Sequence, residues 1–196
     1  PEVQKNHFHG TMIVLTNPCD LIAYYVNQKI DADVIGTGTA LDSARLRSRV
    51  AAALNLAPSD IQGYCIGEHG DSELAVWSAA NVSGIPINDF FRLRGFENPS
   101  ELRTSIEESV RNSAYEIIEK KRATYFGIAP SVTRICEAIV RDQKSIMTVS
   151  NYRTDVQGVT DVVMSMPAIV GSKGVEFPIP LQLSIDEAEH LHTSAS

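Results

Sequence analysis

The sequence is poor in cysteine, in basic charge and in long apolar runs, and each shortage excludes something. Its three cysteines, Cys19, Cys65 and Cys136, lie far apart, are odd in number and form no Cys-x-x-Cys, which argues against a disulfide framework or a zinc knuckle. They read as small buried apolar residues of a reducing compartment. Lysine and arginine number 17 against 24 aspartates and glutamates, and the net charge of -7 is spread along the chain. Without a basic stripe to meet a phosphate backbone, no nucleic-acid partner is expected. No apolar run approaches bilayer length, and the opening PEVQKNHFHG is too polar for a signal peptide, so no membrane partner is expected and the cytoplasm is the default compartment. A complete Gly-x-Gly-x-x-Gly is also missing, because Leu41 stands where a third glycine would follow Gly36 and Gly38; the pair reads as a tight turn. His7 and His9 near one end, and His190 and His192 near the other, read as solvated residues, and no metal is expected. The chain opens on Pro1 instead of a methionine, so the numbering is expected to begin inside a longer natural chain.

What is present has the make-up of an ordinary globular protein. At 196 residues, 43% hydrophobic and 21% charged, the chain can bury a real core in one or two domains. Met12 to Thr16 is a short apolar run of strand length, closed by Asn17-Pro18 and followed by a helical pattern through Leu21, Ile22, Tyr25 and Val26. Asp33 to Ile35 reads as a second strand. Gly36 to Thr39 reads as a turn, and Leu41 to Leu56 as a helix with Leu41, Ala44, Val50, Ala51 and Leu54 on its apolar side. Strand, helix, strand, helix implies parallel pairing with helical crossovers. Beyond Pro58 the pattern predicts paired strands, about Ile61 to Ile66 and Leu74 to Val82. Two amphipathic helices follow, about Glu101 to Arg122 and Ile128 to Asp142. Ile146 to Leu183 reads as strands turning at Gly158 and Gly171 to Gly174, and a last helix opens at Ser184. The fold class expected is a βα fragment of α/β type followed by an α+β domain.

Two short stretches can carry chemistry. Gly67-Glu68-His69-Gly70-Asp71-Ser72 holds a histidine between glycines at a strand-to-strand turn, where a ligand can approach the ring closely. Taken alone, a turn histidine is more often a plain surface residue. Leu41-Asp42-Ser43-Ala44-Arg45 opens a helix, with Asp42 and Arg45 on one face. By itself that pair is a helix-start carboxylate and an intrahelical ion pair.

Taken together, Asn17-Pro18-Cys19-Asp20, Gly36 to Arg45, Gly67 to Ser72 and Ala75-Val76-Trp77-Ser78 resemble the lactate and malate dehydrogenase family in order and spacing. The resemblance runs on through Thr124, Met166 to Gly171 and Leu183 to Leu191, so it covers essentially the whole chain. It implies that residues 1–38 are the last strands of a Rossmann-type dinucleotide-binding domain and that 39–196 are the substrate-binding domain. It further implies an NAD-dependent oxidoreductase, with NAD as cofactor and a small 2-oxo or 2-hydroxy acid as partner, assembled as a homodimer or homotetramer. In this likeness His69 matches the catalytic histidine that exchanges a proton with the substrate, and Asp42 the carboxylate that orients it. Arg45 matches the guanidinium that grips the substrate carboxylate. Asn17 matches a residue near the substrate carbonyl and nicotinamide, and Pro18 a proline preceded by a cis peptide bond. Thr124 matches a wall of the substrate pocket, and Ile128 a residue packed on the nicotinamide.

The likeness also has gaps and departures. The family's glycine-rich phosphate turn, its ribose-binding acid and the mobile loop with a second arginine are expected to lie ahead of Pro1, and the last helix to end early at Ser196. The chain alone is therefore expected to be inactive. Members activated by fructose bisphosphate carry a basic pair; Arg47 matches one partner, but Gln62 stands in place of the histidine. Glu68, Trp77 and Thr124 resemble lactate-type members, while Tyr125-Phe126-Gly127 resembles 2-hydroxyisocaproate dehydrogenases with roomier pockets. The competing readings are a malate dehydrogenase and a non-catalytic fragment that only self-associates.

Overall fold

In the computed structural model, residues 2–121 and 125–196 are described. After a single helical turn, α1 (Glu2–Lys5), two strands, β1 (Met12–Val14) and β2 (Val34–Gly36), pair in parallel across α2 (Cys19–Asn27). The Asn17-Pro18 peptide between β1 and α2 is cis. The helix α3 (Ala40–Leu54) follows β2 directly and ends at Asn55, whose left-handed backbone closes it.

Residues 61–82 form two small sheets. β3 (Ile61–Gln62) pairs with β6 (Asn81–Val82), and β4 (Cys65–Ile66) with β5 (Leu74–Ala75). The expected long hairpin is thus split. The chain bends between β3 and β4, where the Tyr64 carbonyl accepts the Val76 N–H at 2.9 Å. On the other side, a turn closed by Ala80 N–H on the Trp77 carbonyl interrupts the second strand. β7 (Ile85–Pro86) leads into a short helix, α4 (Ile87–Leu93). The long helices are α5 (Pro99–Lys121) and α6 (Tyr125–Val140); α6 begins ahead of the expected Ile128 and contains Pro130.

The remainder is a meander of β8 (Ser145–Val156), β9 (Val159–Gly171) and β10 (Gly174–Pro178), followed by α7 (Ile185–Ala195). The β8–β9 turn has Gln157 and Gly158 both at positive φ, a two-residue connection whose twist suits paired strands. At the start of α7, Ser184 and Glu187 cap one another's backbone N–H groups. The main sheet runs β1-β2-β8-β9-β10, mixed in direction, and Gly36 opposite Ser150 joins the parallel pair to the meander.

Apolar burial welds these layers together. Leu46, Val50 and Leu54 of α3 pack with Phe91, Ile106 and Val110 of α4 and α5, while Ile66, Val76, Met164 and Leu191 lock α7 against the β9 side. Ala44, expected on the apolar side of α3, is exposed; Asp42 and Ser43 are buried instead. Among the described residues no helix is long and apolar enough to cross a membrane.

Candidate active site

The centre of the sheet carries two serines facing each other in register, Ser150 on β8 and Ser165 on β9, their hydroxyls 2.9 Å apart. Three segments hang from them. Ser165 Oγ accepts the Thr39 N–H at 3.0 Å, fixing the start of α3. The Ser165 backbone exchanges two 3.0 Å hydrogen bonds with Gly67, fixing the turn that carries His69. Ser150 donates to the buried Asp20 of α2, whose other oxygen accepts the His69 N–H at 2.6 Å. Burial raises the Asp20 pKa against the opposing pull of those hydrogen bonds. Gly38, at φ +49°, lies so close that a Cβ would run into both serine hydroxyls, so this turn requires glycine.

α3 is also zipped to β4. Thr39 Oγ1 donates to the Cys65 carbonyl at 2.6 Å, and the Cys65 N–H donates to Ser43 Oγ at 2.9 Å. This register brings the first turn of α3 up to the His69 loop. Asp42, with only 4% of its side chain exposed, bridges two cations: Oδ1 lies 2.8 Å from Arg45 Nη1 and Oδ2 lies 3.1 Å from His69 Nδ1. Glu73 Oε2 approaches the same nitrogen at 3.7 Å. Interaction with Asp42, then with Glu73, outweighs burial and raises the His69 pKa to about 10. Burial opposes the charged form of Asp42, but His69 and Arg45 prevail and hold its pKa below the usual carboxylate value.

The arrangement is a charge-balanced cluster of two carboxylates, one guanidinium and one imidazole. Nδ1 faces the Asp42 and Glu73 carboxylates, which leaves Nε2 as the ring nitrogen able to exchange a proton with a ligand, and the ring is 26% exposed. Arg45, 15% exposed and anchored through one nitrogen, keeps fork donors for an incoming anion. Two carboxylates and an imidazole this close can hold a metal in other settings; here the guanidinium already supplies the positive charge on Asp42.

Asn17 is exposed between β1 and α2, three residues before the Asp20 that holds the His69 backbone. Ile128 is half-buried on α6, next to Gly127; a Cβ at Gly127 would lie 4.0 Å from Arg45 Nη2, so the start of α6 borders the guanidinium. Thr124 lies outside the described residues.

Residues 39–196 match the family model for the lactate/malate dehydrogenase alpha/beta C-terminal domain. The chain belongs to the lactate/malate dehydrogenase family. It is 42% identical over 200 residues to L-lactate dehydrogenase of Thermoanaerobacterium saccharolyticum, covering 100% of this chain and 64% of that protein. It is 39% identical over 198 residues to the Thermus aquaticus L-lactate dehydrogenase, with the same two coverages, 100% and 64%. Among solved structures, the minor L-lactate dehydrogenase of Enterococcus mundtii superposes with TM-score 0.92 at 37% identity, over 98% of this chain and 62% of that one. The lactate dehydrogenase MGS-M5, from a Medee basin deep-sea metagenome library, gives TM-score 0.93 at 34% identity, with coverages of 98% and 62%. The chain therefore spans less than two thirds of the length of these relatives.

Glu73, Asp20 and the Ser150–Ser165 pair belong to the site without standing out in the sequence. Glu73 follows His69 by four residues in a turn, where no periodicity says which way a side chain returns. In the sequence Asp20 stands out only as the end of the Asn17-Pro18-Cys19-Asp20 motif. A buried carboxylate two residues after the proline that opens α2 gives no signal until its partner across the fold is known.

Proposed function

We propose that this chain supplies the substrate-binding half of an NAD-dependent L-2-hydroxy-acid dehydrogenase of the lactate type, which reversibly reduces a 2-oxo monocarboxylate with NADH. The observation that carries this reading is the single carboxylate, Asp42, that joins His69 and Arg45. It holds a proton donor and a carboxylate clamp at a fixed separation, as one small substrate with a carbonyl beside its carboxylate requires.

On this reading Arg45 grips the substrate carboxylate with two parallel hydrogen bonds, leaving the adjacent carbonyl oxygen at His69 Nε2. The imidazolium donates its Nε2 proton to that oxygen as it becomes an alkoxide, and Asp42 stabilises the ring's charge and fixes its tautomer. NADH, when bound, supplies the hydride to the carbonyl carbon. In the reverse direction the neutral ring takes the hydroxyl proton. The nicotinamide end of the cofactor fits what is present: Asn17 emerges beside the segment that holds the His69 backbone, and Ile128 offers an apolar surface beside the Arg45 border.

Residues 1–38 belong, on the same reading, to the dinucleotide-binding domain. β1 is the edge of the described sheet, and its free side is where further parallel strands would add. Residues 39–196 form the substrate domain. The exposed small residues Ala44, Ser48 and Ala52 lie on one face of α3 and suit close packing against a second subunit in a homodimer or homotetramer. The cytoplasm is the compartment proposed.

No complete Gly-x-Gly-x-x-Gly occurs in these 196 residues, so the chain alone is expected to bind NADH weakly and to be inactive. Calorimetric titration checks this, and submicromolar affinity would contradict it.

The substrate class follows from charge. Thr124 brings no cation to meet a second substrate carboxylate, whose burial unpaired would be costly. Pyruvate and 2-oxoisocaproate are therefore expected to outrank oxaloacetate in kcat/KM in an enzyme that carries this chain with its dinucleotide-binding half. A clear preference for oxaloacetate would make it a malate type, and no NADH oxidation with any of the three would sink the dehydrogenase reading.

A further inference from the structure

The site as proposed gives His69 one carboxylate, yet that carboxylate also serves Arg45. A single negative charge on Asp42 then faces two positive ones, the guanidinium at 2.8 Å and the imidazole at 3.1 Å. Each cation weakens the hold of Asp42 on the other, and a buried imidazole left short of negative charge loses its proton. The structure supplies a second carboxylate at that nitrogen. Glu73 is brought back over the ring by the turn that its N–H closes on the Gly70 carbonyl. Its side chain is 9% exposed, its Oε2 lies 3.7 Å from His69 Nδ1, and among the described residues it has no other ion-pair partner.

We infer that Glu73 is a positioning residue which, with Asp42, holds His69 in its proton-bearing form and frees Arg45 to serve the substrate. The inference rests on the dehydrogenase reading for its consequence in turnover, but not for its effect on the imidazole. Asp42 lies close enough to orient the ring; Glu73, beyond good hydrogen-bond distance, acts through its charge. Burial raises the Glu73 pKa, and proximity to His69 opposes that rise, so the charged forms of the two groups support each other.

The other charges facing this pair come from several elements. α3 contributes Asp42 and Arg45, α2 contributes Asp20, and the His69 turn itself contributes Glu68. Glu73 also lines a cavity of about 270 Å³ between α3, α5 and α7. Arg103, Glu107 and Arg111 face this space from α5, and Asp186, Glu187 and His190 from α7, in both signs. Cys65, on β4, stays neutral because burial pushes its thiol pKa up. Among the described residues, Glu73 supplies the negative charge nearest Nδ1 after Asp42.

The test is an NMR titration of the imidazole carbons in this chain, comparing the native residue with Glu73→Gln. The exposed His7, His9 and His192, none of which lines that cavity, serve as internal references. The His69 midpoint is expected to fall by about one pH unit or more on loss of the carboxylate, while the reference histidines stay put. An unmoved His69 midpoint in a folded variant overturns the inference. If Glu73→Gln fails to fold, Glu73→Asp, which keeps the charge but draws it back, is expected to give a smaller acid shift, and no shift there overturns it equally. In an enzyme carrying the dinucleotide-binding half, Glu73→Gln should move the alkaline limb of the reduction profile acidward by the same amount. Absence of turnover in the native enzyme at every pH would remove the dehydrogenase reading and leave the titration result standing.

Discussion

His69→Gln, in an enzyme that carries this chain with its cofactor half, is expected to lower turnover by ~10²–10⁴-fold, the range that general acid catalysis supplies. Cofactor affinity should be nearly intact. Glutamine can still donate a hydrogen bond toward a carbonyl, but it has no proton to give at accessible pH, so the loss falls on kcat in the chemical step. The backbone geometry should survive, because Asp20 holds the residue through its main-chain N–H. Loss of the positive ring leaves Asp42 with Arg45 as its partner, so the clamp persists. The same assignment fixes a pH dependence. Reduction needs the protonated donor, present below the His69 pKa and lost above it; the neighbouring carboxylates raise that pKa to about 10. Reduction should therefore hold through neutral pH and fall as pH rises through the alkaline range, while oxidation of the hydroxy acid, which needs the neutral ring, should rise there. Initial rates of both directions across pH check the pair of trends; a chemical step insensitive to pH in both directions would remove His69 from the proton-donor role.

Arg45→Lys is expected to raise the apparent KM for the 2-oxo acid by about ten-fold or more, because a charge-assisted hydrogen bond to a carboxylate is worth roughly 1.5–3 kcal/mol and the ammonium cannot copy the planar fork. The effect should fall mainly on substrate capture. Asp42 occupies one nitrogen of the guanidinium at 2.8 Å, and the rest of the fork remains for the ligand. A lysine at 45 would have to divide its compact charge between Asp42 and the substrate. Steady-state KM values for pyruvate in the two proteins decide the matter: equal values would refute the clamp.

The local patterns were largely legible in the sequence. The apolar run Met12–Thr16, the glycines at 36 and 38 and the helical pattern beyond Leu41 foretold a parallel βαβα start, and Gly158 marked the β8–β9 turn. These features are local, set by side-chain period and by backbone freedom at glycine. Strand continuity was not legible between Ile61 and Val82. Val76 hydrogen-bonds to the bent segment at Tyr64, and Ser78 donates to Glu187 of α7, contacts that connect residues remote in sequence. Ala44 fitted the apolar side of α3 by spacing alone, yet it faces outward because Asp42 and Ser43 turn inward to reach His69 and Cys65.

By itself the sequence determined the element types, the overall acidic charge, and the residues His69, Asp42 and Arg45 as candidates, since these depend on composition, short-range spacing and motif order. Tertiary structure alone decided which of them meet. Asp42 and Arg45 are one helical turn apart, but His69 reaches Asp42 only because Ser165 ties both the start of α3 and the Gly67 turn to one point of the sheet. Glu73 and Asp20 joined the site the same way, through contacts made after the chain has crossed the sheet. A residue's neighbours at that range are set by strand register and helix packing, and one sequence read alone contains neither.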